Sequence, residues 1–168
     1  FLDLVNQYDN IIVLRTFSKI FSLAGCRIGY AISNGKVIKY LDKVRPSFDT
    51  NSLALKFATI LLKKDGLIND LIATEAKGRE YLINQLKDYE YDYYHNGGNY
   101  VFVRLKNIRP QTLSDLLKEK EQILIKTYNY DILSDYIRVS TGDIEIMECF
   151  FKSLLKYDKS SIEVDYEK

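Results

Sequence analysis

Thr16-Phe17-Ser18-Lys19-Ile20-Phe21-Ser22-Leu23-Ala24-Gly25-Cys26-Arg27-Ile28-Gly29-Tyr30 is the stretch on which the reading of this chain turns. It starts where a strand-type run, Ile11-Ile12-Val13-Leu14, stops, and it ends where a second run, Ile28 to Ile32, begins, so Lys19 falls on a loop. Consecutive apolar residues leave no polar face, which predicts a fully buried strand over 11–14. The loop gathers a lysine, the hydroxyls of Thr16, Ser18 and Ser22, and Arg27 eight residues after the lysine. Ligands bind at strand ends in α/β sheets. A hydroxyl beside a lysine, with a guanidinium nearby, suits a phosphate-bearing ligand, and the lysine amine can form a Schiff base with a carbonyl. The plainer reading of a Ser-Lys pair on a loop is a solvated turn.

The bulk numbers narrow the function classes. The chain has 168 residues, 46% hydrophobic and 28% charged, enough for one ordinary domain or two small ones with real cores. Lys plus Arg number 24 against 23 Asp plus Glu, interspersed and without a basic block, which argues against a nucleic-acid or anionic-membrane partner. Cys26 and Cys149 stand far apart and His95 is the only histidine, so neither a metal site nor a disulfide scaffold is expected. Cys26 reads as a packing residue and Cys149 as a helix residue. No apolar run reaches the roughly 18 residues of a membrane span, and no signal peptide is visible, which points to the cytoplasm. The chain begins Phe1-Leu2-Asp3 and its only methionine is Met147, so it is expected to be a piece of a longer protein or a processed one.

Along the chain, the turn Ser33-Asn34-Gly35 closes the second strand, and a helix over 36–44 is stopped by Pro46. Asn51-Ser52 caps a helix to about Lys64 with almost no polar face, predicted to be buried on most sides. Leu67 to Leu86 is a long amphipathic helix. The composition changes around it, which places a domain boundary near Lys64: residues 1–64 form one unit and 65–168 a smaller α+β unit bridged by this helix. Tyr89 to Tyr94 reads as an exposed edge strand before the turn Asn96-Gly97-Gly98. A strand over 99–104, a helix over 110–120 opened by Pro110, strands over 123–126 and 136–140, a last helix after Thr141-Gly142-Asp143 and a loose tail over 160–168 complete the order. Arg138 lies in a strand that reads as apolar; a guanidinium there either pairs with a protein carboxylate or waits for a ligand, and spacing leaves the two even.

The first stretch resembles the cofactor-lysine segment of fold type I aminotransferases, the aspartate aminotransferase superfamily, and above all its histidinol-phosphate aminotransferase branch. That pattern is Ser-Lys, a short apolar stretch, Leu-Ala-Gly, one residue, Arg, one residue, Gly; Ser18-Lys19, Leu23-Ala24-Gly25, Arg27 and Gly29 fall in register with it. The resemblance implies an α/β fold made of the C-terminal part of a PLP-transferase-like large domain followed by a small α+β C-terminal domain. It implies that Lys19 is the catalytic residue and carries pyridoxal 5'-phosphate as a Schiff base, with Ser18 and Arg27 on the cofactor phosphate. Tyr136-Ile137-Arg138-Val139-Ser140-Thr141-Gly142 is similar to the segment whose arginine grips the α-carboxylate, with Thr141 where a hydrophobic residue is usual. Lys126 stands where relatives commonly carry arginine. Asn99-Tyr100-Val101-Phe102-Val103-Arg104 is similar to the strand that opens the small domain, so Asn99, Lys126 and Arg138 are the implied substrate residues. Arg45-Pro46-Ser47-Phe48-Asp49 is similar to a segment near the dimer interface, with Phe48 and Asp49 replacing the usual Tyr-Asn.

The implied activity is transfer of an amino group between an amino acid or amino-alcohol phosphate and a 2-oxo acid, by a homodimer. The resemblance covers residues 1 to 157, the C-terminal half of a family member. The aspartate that keeps the pyridine nitrogen protonated, the Gly-rich phosphate loop, the ring-stacking aromatic and the asparagine at the cofactor oxygen have no counterpart here, so the 168 residues alone are expected to be inactive. Two alternatives stand beside this reading: a same-fold decarboxylase of the threonine-phosphate type, and a cofactor-free assembly domain.

Overall fold

The computed structural model describes residues 2–159. The tail read over 160–168 lies outside them. Contacts divide the chain into two compact units, Phe1–Leu71 and Ile72–Lys168.

In the first unit, a 3-10 turn over Leu2–Asn6 precedes strand β1 (Val13–Thr16), which pairs antiparallel with β2 (Gly29–Ile32). Helices α1 (Gly35–Val44) and α2 (Ser52–Leu62) follow. Both helix starts are set by asparagine caps. The Asn34 side chain accepts from the Lys36 and Val37 amides, and that of Asn51 from the Ala54 amide, satisfying donors that the first turn leaves open. α1 stops at Arg45, which is extended (φ −71, ψ 146) because the ring of Pro46 disfavours the helical region for the residue before it.

Two burial expectations fail here. The first strand lies two residues later than the apolar run, because the segment before it is held by side chains: Ser33 donates to the Ile11 carbonyl at 2.6 Å and Asn34 to the Asp9 carbonyl at 3.1 Å. Nor is the strand buried. Leu14 is 74% exposed, since among the described residues β2 is the one strand that pairs with β1. The second strand likewise starts at Gly29. Helix α2 turns Ala54 and Ala58 into a small core with Phe17 and Ile28, while Leu53, Phe57 and Ile60 remain in solvent. A helix that is apolar all round shows surface that needs cover; it does not show that this chain supplies it.

The second unit contains most of α3 (Leu67–Asp88), then β3 (Tyr93–Tyr94), β4 (Tyr100–Arg104), α4 (Pro110–Leu116), β5 (Lys126–Thr127), β6 (Tyr136–Ser140) and α5 (Ile144–Lys159). The strands form an antiparallel sheet in the order β3-β4-β6-β5. Val101 and Val103 of β4 and Ile137 and Val139 of β6 point into one core with Leu82, Leu86, Leu113, Leu117, Met147, Phe150 and Leu154. α4 runs on into a five-residue π turn, Leu117–Glu121, ended by Gln122 at φ 58. The strand expected over 123–126 accordingly shrinks to Lys126–Thr127.

The edge strand expected over 89–94 is also shorter, for a local reason. α3 closes with Glu90 in the left-handed region (φ 56), the Tyr91 amide donating to the Leu86 carbonyl at 2.8 Å and the Glu90 amide to that of Lys87 at 2.9 Å. This is the Schellman pattern of a helix end, with Tyr91 and Leu86 meeting in the core as its apolar contact. Tyr89 and Glu90 therefore finish a helix, and only Tyr93 and Tyr94 pair with β4.

A buried carboxylate ties the far end of the unit. Asp158, fully buried on α5, accepts from the Lys106, Asn107 and Ile108 amides at 3.2, 2.9 and 3.0 Å. Burial, helped by hydrogen bonding to Asp158, pushes the Tyr91 hydroxyl well above the usual tyrosine range, so it stays protonated and can donate. Replacing Asp158 by Ala strands three amide donors, each worth about 1–3 kcal/mol when left unpaired in a buried site. Urea unfolding of Asp158→Ala should therefore show a loss on the order of 3 kcal/mol, with faster hydrogen exchange at residues 106–108; a loss below about 1 kcal/mol would contradict this account.

Candidate active site

The Lys19 loop is built from local bonds. Thr16, the last residue of β1, donates through its hydroxyl to the Ser18 hydroxyl at 2.9 Å and accepts from the Ser18 amide at 3.0 Å. Phe17 is buried beneath the loop, with its amide on the Ile28 carbonyl and its carbonyl taking the Leu23 amide. Phe17 is buried, whereas Lys19, two residues on, is exposed. Its ammonium has no hydrogen bond or ion pair among the described residues.

Arg27 sits at the far end of the loop in the left-handed region (φ 50, ψ 47), held there by a bond from its own guanidinium to the Ala24 carbonyl at 3.1 Å. Ser22 is left-handed too, at φ 55. Such conformations cost a non-glycine residue on the order of 1 kcal/mol and collect at ligand-binding loops. Gly29 is required by the strand pair itself, because a Cβ there would lie 2.6 Å from the Arg15 carbonyl oxygen. Gly25 has open space around it, so nothing among the described residues demands its lack of a side chain. Cys26 packs against the small core as expected, and Cys149 is exposed on α5.

The second cluster lies on the outer face of the four-stranded sheet. Tyr94, Phe102, Arg138 and Lys126 occupy one row across β3, β4, β6 and β5. The strand of Arg138 is thus apolar on its inner face only; its outer face is aromatic and cationic, and the guanidinium is half-buried rather than enclosed. It lies over the Tyr100 ring at 5.4 Å, and the Lys126 ammonium lies 5.8 Å from the Tyr128 ring. Tyr100, Phe102 and Tyr128 form a continuous aromatic strip, with ring centroids 5.7 and 5.8 Å apart. Neither cation has an ion pair among the described residues. Like charges directly opposite on neighbouring strands repel, so this row favours an anion arriving from outside. Asn99 lies just before β4, where its carbonyl takes the Thr141 amide at 3.0 Å.

The structure thus brings Lys126 and Arg138 together in one row, with Asn99 at the end of the neighbouring strand. Ser18, Lys19 and Arg27 belong to the other compact unit. Sequence reading missed the aromatic strip, whose signal is the alternation of Tyr100 and Phe102 with valines along β4. Among the described residues no cluster could hold a metal ion, and no helix is long and apolar enough to cross a membrane.

Two features stand out: an exposed loop amine that shares its loop with hydroxyls and a guanidinium, and a small antiparallel unit carrying an anion-seeking row. They define a mixed α/β protein of the PLP-transferase type. The family model for aminotransferase class I and II matches residues 2–157, and the chain belongs to that family. It is 37% identical over 150 residues to a histidinol-phosphate aminotransferase of Methanocaldococcus jannaschii, covering 88% of this chain and 40% of that protein. Among solved structures, the histidinol-phosphate aminotransferase of Clostridium acetobutylicum superposes with a TM-score of 0.81 at 24% identity, over 95% of this chain and 49% of that one. That of Sinorhizobium meliloti, in complex with pyridoxal-5'-phosphate, gives 0.76 at 25% identity over 90% and 42%. The chain spans about 40% of the length of the curated relatives it matches.

The close approach at Gly29 is open to a direct check. Gly29→Ala must push β1 and β2 apart, and overpacking of that kind costs typically about 1–3 kcal/mol. Loss of amide protection at Phe17, whose amide donates to the Ile28 carbonyl, is the expected outcome under hydrogen exchange; unchanged protection would show that the Arg15 carbonyl can move aside.

Proposed function

We propose that this chain is part of a PLP-dependent aminotransferase of the histidinol-phosphate type, in which Lys19 holds the cofactor and moves the substrate proton. Residues 1–64 are then the C-terminal part of the cofactor-binding large domain, and residues 65–168 are the small C-terminal domain. The observation that carries this is the Lys19 amine: exposed, without a partner among the described residues, and on one loop with the Ser18 hydroxyl and, eight residues on, Arg27. The donor set fits the cofactor, with an amine for its aldehyde and a hydroxyl plus a guanidinium for its phosphate.

When bound, pyridoxal phosphate supplies the electron sink that allows the substrate Cα–H bond to break. The chain's own residues do the rest. Ser18 Oγ and the Arg27 guanidinium would hold the phosphate. Lys19 Nζ, when free, would accept the proton from the α-carbon and return it as general acid. The Arg138 fork would take the α-carboxylate, with Asn99 and Lys126 on the same substrate, and the Tyr100 ring lies against that guanidinium. A lysine at 126 offers charge without a bidentate fork, which suits a phosphate or second carboxylate less strictly than arginine would.

The substrates on this reading are an amino acid or amino-alcohol phosphate and a 2-oxo acid. Apolar side chains left in solvent on α2 support a homodimeric enzyme, and the two free cysteines fit the cytoplasm.

In the cofactor-loaded enzyme, Lys19→Ala should abolish the visible absorbance of lysine-bound cofactor, and borohydride trapping of the parent should label Lys19. Labelling of another lysine would overturn the assignment. Arg138→Lys should lower kcat/KM for amino-acid donors by on the order of 2–4 kcal/mol, while an amino-alcohol donor, lacking the carboxylate, should be unaffected in its own half-reaction. Equal losses in both half-reactions would mean that Arg138 grips a group common to both substrates.

A further inference from the structure

We propose that Thr141, Glu75 and Arg79 form a positioning device for Arg138, in which the Thr141 hydroxyl bonded to Glu75 fixes the end of β6 and so sets the aim of the guanidinium. The inference rests on the reading of Arg138 as the carboxylate fork. That guanidinium has no acidic partner among the described residues, and it lies over the Tyr100 ring. A ring face attracts a cation but does not fix the direction of a planar fork. Without a ligand, the aim of Arg138 is set mainly by where the β6 backbone runs.

That backbone is secured just beyond Ser140. The Thr141 amide donates to the Asn99 carbonyl at 3.0 Å, extending the β4–β6 ladder by one residue. Its hydroxyl donates to Glu75 Oε1 on α3 at 2.5 Å, the short distance of a charge-assisted bond. Glu75, 14% exposed, is itself gripped by Arg79 one turn on, whose Nη1 lies 2.8 and 2.6 Å from the two carboxylate oxygens. Gly78 makes this contact possible: a side chain there would overlap the Gly142 carbonyl and the Asp143 backbone, so α3 touches the turn directly.

The start of α5 does not need this bond. Asp143 already caps the helix, accepting from the Ile146 amide at 2.9 Å through its side chain and from the Met147 amide at 3.1 Å through its carbonyl. The Thr141–Glu75 bond is therefore an added constraint, three residues from Arg138 and at the residue whose amide bonds the Asn99 carbonyl. Arg79 neutralises Glu75, so the anchor puts no net negative charge at the end of the strand that must receive a carboxylate. A fork matched to a planar anion loses affinity quickly when its origin shifts by a fraction of an ångström.

The test uses the cofactor-loaded enzyme and an amino-acid donor. Thr141→Val should raise KM for the donor about tenfold with kcat within about twofold, the pattern of lost ground-state binding. Thr141→Ser should restore the parent value, and Glu75→Gln, which keeps the shape of the side chain, should fall between. In an Arg138→Ala background, Thr141→Val should add no further rise, because nothing remains to be aimed. A rise of equal size in that background, or a lower unfolding temperature with KM unchanged, would show that the hydroxyl serves the fold and overturn the proposal. Should Thr141→Val not fold, the Glu75→Gln variant in the two Arg138 backgrounds gives the same decision. If Arg138→Ala itself leaves KM unchanged, the carboxylate reading fails and this inference with it, whereas an effective Arg138 with an uncoupled Thr141 sinks only this inference.

Discussion

The period of two along β4 and β6 is the constraint on which the second unit depends. Burying Val101, Val103, Ile137 and Val139 on one face leaves Tyr100, Phe102 and Arg138 on the other, because successive side chains of a strand point to opposite sides. Slipping β6 by one residue against β4 would put Arg138 into a core of leucines and phenylalanines, which an unpaired guanidinium cannot join. The register of the sheet and the presentation of a cation to its outer face are thus a single consequence of burial. Lys126 reaches the same row because β5 pairs with β6 in the same antiparallel frame.

The first unit is organised differently. Its core is small, and the Lys19 loop is shaped by short-range bonds: Thr16 to Ser18, Arg27 back to Ala24, and the buried Phe17 as an anchor. Those contacts keep the loop in one conformation without enclosing the lysine. Leu14, Phe48, Leu53 and Phe57 are left in solvent, so the unit's apolar surface exceeds what its own elements cover.

The loop was legible because its chemistry is written contiguously: Ser18-Lys19, Leu23-Ala24-Gly25, Arg27 and Gly29 lie within a dozen residues, and the family match over 2–157 agrees with that resemblance. The helix start at Asn51 and the stop at Pro46 were legible because capping and proline sterics act over a few residues, whereas Asn34 was read as a turn residue and proves to cap α1. Burial was not. Four apolar residues at 11–14 and the apolar α2 predicted enclosure, yet burial depends on which elements lie opposite, and a run of side chains does not carry that. The end of α3 at Tyr89–Glu90 was misread because its left-handed residue is a glutamate, where the usual glycine would have marked it.

By itself the sequence determined the family pattern, the order of helices and strands in the second unit, and the residue types available for a phosphate and a carboxylate. Each follows from local chemistry, from capping, proline, alternation and motif spacing. Only the tertiary structure decided that Lys126 and Arg138 face each other across two strands, that Asp158 closes the turn at 106–108, and that Thr141 meets Glu75 across 66 residues of chain. Those pairings are set by strand register and by the contact of α3 with the Gly142 turn. Both are fixed by packing, between residues too far apart in the chain for any local pattern to connect.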